Sequence, residues 1–144
     1  AEGNLVCKHN FTNIVYERNE SWYVRIGKTV FIHPHDNGSS HAGAAVRKWA
    51  NKFIERYGTE EIDSFVIGHV HKVYEGVVNG FKMFEQGCLA GYQSYSWSPR
   101  HFYKDNTANG FTIIYQDLDG NTDFNMSHVY YLGEVLPMKK SINL

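Results

Sequence analysis

The sequence predicts an α/β fold, one βαβ unit followed by β-hairpins, and three observations predict it. Two short apolar runs, "TVFI" at Thr29–Ile32 and "FVI" at Phe65–Ile67, each end within two residues of a histidine, His33 and His69. The segment between them repeats its apolar residues at helical spacing. Beyond Lys72 the chain turns into short β-rich runs separated by Asn-Gly and Asp-Gly pairs. Strand, helix and strand in that order make a parallel pair with a right-handed crossover, which puts both histidine groups at the C-terminal ends of neighbouring strands.

Element by element, the first twenty residues are polar and irregular. "WYVRIG" and "KTVFIHP" are β-rich runs split by Gly27 and Lys28, where a tight hairpin fits. The second run is apolar after its first residue, as expected of a strand covered on both faces. Pro34 cannot donate to a ladder and stops it. "DNGSS" reads as a loop, with Ser39 or Ser40 as the N-cap of a helix over 41–57. There Ala42, Ala45, Val46, Trp49, Phe53, Ile54 and Tyr57 form one stripe, and Arg47, Lys48, Asn51, Lys52, Glu55 and Arg56 the other. Gly58 closes the helix. "VYEGVVNG", "FKMFEQGCL", "GFTIIYQDLDG" and "NMSHVYYLG" are the later strands, expected as hairpins in a β-rich second layer. Residues 91–109 read as a long aromatic loop. Its Tyr92, Tyr95, Trp97, His101, Phe102 and Tyr103 have only Arg100 and Lys104 as nearby cations, a pattern that favours packing over a platform for nucleobases.

The 144 residues suit one domain, 1–144, large enough to bury a core. A net charge of −1 and a pI near 6.8 force no nucleic-acid or membrane partner through bulk electrostatics. No apolar run is long enough for a membrane helix and the N-terminal residues lack a signal-peptide pattern, so the expectation is a cytoplasmic protein with no membrane partner. Cys7 and Cys88 lack the spacing of a zinc or redox pair, which points to reduced thiols. The four Asn-x-Ser/Thr sequons, at Asn10, Asn19, Asn37 and Asn125, carry no weight without an export signal.

The chemistry-bearing string is "IGHVHK". In a β conformation His69 and His71 share one face, so both imidazoles converge on one point, and convergence of that kind suits a metal. A pair of structural histidines, hydrogen-bonded at a strand end, is the plainer reading of the same string.

A strand ending in His33, a helix, and then Gly68-His69-Val70-His71 resemble the C-terminal half of the calcineurin-like metallophosphoesterases, and "VYEGVVNGFKMFEQGCLAG" resembles the strand pair that follows in that family. The likeness covers residues 22–91. It implies the C-terminal half of a four-layer αββα sandwich. It further implies that His33 and His69 ligate one metal of a dinuclear site and His71 the other, with His35 and Asp36 as groups that orient a ligand or substrate. Imidazole suits manganese, iron, zinc and nickel alike. Two such ions would activate a bridging hydroxide for attack on a phosphomonoester or phosphodiester, a nucleotide or nucleic acid among them. The family's Asp-x-His, Gly-Asp-x-x-Asp and Asn-His-Glu/Asp motifs have no counterpart here. The chain is therefore expected to be inactive alone. Two functions stay open: a phosphoesterase completed by a missing N-terminal half, and a non-catalytic binding or assembly module on the same scaffold. Half a fold would leave the strands at 29–33 and 64–69 short of neighbours, which predicts a homodimer or association with the missing half.

Overall fold

A computed structural model describes residues 22–34, 41–89 and 108–134. Its elements run β1 (Tyr23–Ile26), β2 (Thr29–Ile32), α1 (Ala44–Tyr57), β3 (Ser64–Ile67), β4 (Val73–Val78), β5 (Phe81–Gln86), β6 (Ala108–Ile113) and β7 (His128–Glu134). The fold is α/β. β2 and β3 pair in parallel across α1, as the strand-helix-strand order requires.

The sheet order is β1-β2-β3-β5-β4. β1 and β2 form the hairpin expected at Gly27, which takes φ 56°. β4 and β5 form a second hairpin through Asn79 and Gly80, both left-handed at φ 52° and 83°, the conformation a tight two-residue turn needs. Against the expectation of a β-rich second layer, this second hairpin starts no new layer. β5 lies parallel to β3 and completes the main sheet. The reason lies in its composition: Lys82, Met83, Phe84 and Glu85 are all buried, so the strand needs cover on both faces. Among the described residues only β6 and β7 form a separate two-stranded sheet. The strands at 29–33 and 64–69 also have neighbours on both sides, β1 beside β2 and β5 beside β3; the edges are β1 and β4.

One face of the sheet carries α1. Val30, Ile32, Phe65, Ile67 and Met83 meet Ala45, Val46, Ala50 and Phe53 in the core, with Trp22, Tyr23 and Trp49 at its rim. Burying such side chains supplies about 1.5–3 kcal/mol each. The helix ends where expected, with the Gly58 N–H on the Ile54 carbonyl at 2.8 Å. Its start differs. The N-cap is Gly43, left-handed at φ 79° and without a capping side chain of its own, while Ser39 and Ser40 lie outside the described residues. The carboxylate of Glu85, fully buried on β5, accepts instead from the N–H groups of Gly43, Ala45 and Val46 at 2.8, 3.1 and 3.1 Å. The helix dipole and three converging donors make a favourable place for a buried negative charge.

The opposite face is closed at its lower end by hydroxyls. Thr29, Ser64 and Thr122 form a triangle of 2.8–3.0 Å contacts, and Asp63 accepts from the Thr122 hydroxyl at 2.6 Å. Farther over, the β6–β7 sheet lies against β4 and β5. Among the described residues no helix is long and apolar enough to cross a membrane.

Candidate functional site

β2 and β3 end side by side. The Gly68 N–H donates to the Ile32 carbonyl at 3.0 Å, one step beyond the strand ladder, and Pro34 stops the pairing there. His33 is therefore the first residue past β2, and His69 the second past β3. Both are exposed, and their rings meet edge to face with centroids 5.2 Å apart and planes 80° from parallel. Gly68 permits the approach, since a Cβ there would lie 3.2 Å from Cδ2 of His33 and 3.4 Å from Nε2 of Gln86.

The strand does not continue through the two later histidines. β3 stops at Ile67, and His69 and His71 both take left-handed φ values, 71° and 53°, with the Val70 N–H folded back onto the Gly68 carbonyl at 2.9 Å. The two-residue alternation that would put them on one face therefore does not apply. Left-handed backbone is uncommon for a non-glycine residue, though histidine tolerates it better than most, and such strain clusters at functional sites. The His71 carbonyl accepts from the Ala108 N–H at 2.9 Å, which ties this turn to the start of β6.

A depression of about 380 Å³ opens beside His33, lined by Trp22, Val24, Phe31, Val66, Gly68 and Gln86 among others. Its walls are apolar and its polar groups sit at the histidine end. Neither Trp22 nor Gln86 was singled out in the sequence. Gln86 lies far beyond the histidine string, and its only signal is its place at the end of a strand. Lys72 is also newly placed: burial holds its ammonium below the ordinary 10.5, and the nearby charge of Glu85 works in the opposite direction.

Two imidazoles on one tetrahedral ion, each at about 2.0–2.1 Å through nitrogen, bring their ring centres about 5 Å apart. The 5.2 Å between the His33 and His69 ring centres is close to that distance. The same spacing is that of an ordinary edge-to-face ring contact. Among the described residues no three His, Cys, Asp or Glu side chains form a group that could hold a metal. His35 and Asp36 lie outside the described residues.

No protein-family model matches the chain, and no curated protein matches it either. Two solved structures are similar in backbone: a single mutant of Vps29 from Entamoeba histolytica, and wild-type Vps29 from the same organism complexed with zinc. The first is 16% identical with a TM-score of 0.45 and covers 85% of this chain; the second is 16% identical with a TM-score of 0.43 and covers 76%. The chain spans 66% and 58% of their lengths.

Proposed function

We propose that the chain supplies the histidine side of a metallophosphoesterase-type metal centre, with His33 and His69 on one divalent cation and His71 on a second. The observation that carries this reading is the 5.2 Å approach of the His33 and His69 rings at the ends of adjacent parallel strands, the position where open α/β sheets place their sites. Manganese, iron, zinc and nickel all accept imidazole. Such a cation, when bound, supplies an acidified water and a clamp for phosphoryl oxygens. The chain's own residues hold and orient it. His33 and His69 donate nitrogen lone pairs, which requires their neutral form and makes binding weaken as pH falls. The substrate would be a phosphomonoester or phosphodiester, nucleotides and nucleic acids included, with its ester group beside the depression at Trp22 and Phe31.

A second reading, a binding or assembly module without turnover, is favoured by one observation: among the described residues no carboxylate joins the histidines. Two divalent cations a few ångströms apart repel without one. Zinc titration of the 144-residue chain by calorimetry tests the site itself. One ion per chain is expected, with affinity falling at least tenfold in His33→Ala and in His69→Ala; unchanged affinity in both variants would sink the assignment. Bis-p-nitrophenyl phosphate with added manganese separates the two functions. The isolated chain is expected to show no turnover, and turnover at enzymatic rates would show that it needs no further ligands.

Association belongs to the same proposal. The partner is a second copy or the polypeptide that carries the remaining ligands, seated on the face that presents Val24 and Phe31. Light scattering at micromolar concentration is expected to give a mass above the 16.6 kDa of one chain for the protein alone. A monomer stable on dilution would overturn the association and favour a self-sufficient domain.

A further inference from the structure

His128 opens β7, and both of its ring nitrogens face acceptors. Nδ1 lies 3.1 and 3.4 Å from the two carboxylate oxygens of Glu75 on β4, and Nε2 lies 2.7 Å from the Asn125 carbonyl. A neutral imidazole has one N–H and one lone pair, so it satisfies only one of these partners. The other contact would set a lone pair against an oxygen. Only the doubly protonated ring donates to both.

We propose that His128 is a protonation-gated latch, which as the imidazolium ties β7 and the turn before it to β4, and which releases one of its two ties when it loses a proton. The surroundings support the charged form on one side and oppose it on the other. Burial by itself would raise the Glu75 carboxyl, but hydrogen bonds from Lys82, the Val129 N–H and His128 outweigh it and hold the group below its ordinary 4.5. Glu75 is thus an acceptor at neutral pH, never a donor. Lys82 on β5 opposes, because its Nζ reaches the same Glu75 oxygen at 2.6 Å; it is drawn partly away by the Phe124 carbonyl at 3.2 Å. Within the turn, Asp123 accepts from the N–H groups of Asn125 and Met126 at 2.9 and 3.0 Å, which holds the turn that presents the Asn125 carbonyl to the ring. The Val129 N–H on Glu75 at 3.0 Å remains in either state, so the hairpin loosens at this corner and does not leave.

The direction with pH follows from the donors. The latch is complete while the ring carries both protons and loses a hydrogen bond when it gives one up, so it loosens as pH rises. The β6–β7 sheet is tied at its other end to the His71 carbonyl, so the latch secures the element that backs the histidine turn. The inference stands apart from any metal.

Ring-nitrogen NMR on the 144-residue chain, without metal, tests the proposal. At pH 5.5 both His128 nitrogens are expected to carry protons, and above pH 8 one of them is expected to lose its proton. His128→Gln, whose amide donates from a single nitrogen and accepts at its oxygen at every pH, provides the second readout. Its melting temperature is expected to fall below the wild type by roughly 4 °C at pH 5.5, with the gap closing by pH 8.5. A neutral ring at pH 5.5, or a gap that stays constant over the range, would overturn it. Should the variant fail to fold, the wild-type titration decides alone.

Discussion

Glu85→Ala is expected to destabilise the chain by about 3–5 kcal/mol and to detach the start of α1 from the sheet. The carboxylate is fully buried and accepts from three N–H groups at the N-terminus of the helix. Removing it leaves those donors without their acceptor beneath the sheet, and neither Gly43 nor the helix supplies a capping side chain in its place. Water entering the space would recover only part of the loss. Glu85→Gln keeps one carbonyl acceptor and the shape but brings a second group that can only donate, so about half of the cost is expected to remain. Urea unfolding followed by far-UV circular dichroism measures both. A loss under about 1 kcal/mol for the alanine variant would mean that the carboxylate is not the cap.

This cap also shows where the sequence stops being informative. Local chemistry was legible: Gly58 ends the helix, Asn79 and Gly80 make the turn their residue types demand, and the apolar stripe faces the core from Ala45 to Ile54, while Ala42 before the helix and Tyr57 at its end are exposed. What escaped depends on contacts between distant residues. Glu85 caps a helix some forty positions earlier, and no spacing rule links the two. β5 enters the main sheet beside β3 because four consecutive residues are buried, a run that read equally well as half of an outer hairpin. The candidate site divides the same way. His33 and His69 meet because each follows a parallel strand, which the strand-helix-strand order foretold. The left-handed turn at His69 and His71 was not foretold, since both residue types are compatible with a continuing strand and the decision rests on the fold around Gly68.

Gly87→Ala is expected to cost about 3–4 kcal/mol, and to spend it on one contact between the main sheet and the β6–β7 sheet. Gly87 is left-handed at φ 74°, and a Cβ there would lie 2.8 Å from the Ala108 carbonyl oxygen, 3.0 Å from the Gly110 nitrogen and 3.1 Å from Val73 Cγ2. Two of these neighbours are backbone, held by the Cys88 N–H on the Ala108 carbonyl and the Gly110 N–H on the Cys88 carbonyl, both at 3.0 Å. Neither can rotate aside as a side chain would, so the methyl must push β6 away or bend the end of β5. Gly80→Ala isolates this contribution. Gly80 has a similar φ of 83° but nothing within 4 Å of the added carbon, so it bears only the backbone penalty of about 1–2 kcal/mol. Hydrogen exchange locates the damage: in Gly87→Ala the amides of 108–113 and 128–134 are expected to lose protection while those of β2 and β3 keep it. Equal losses of stability in the two variants would mean that the close approach of β6 to Gly87 contributes nothing to holding the β6–β7 sheet against the main one.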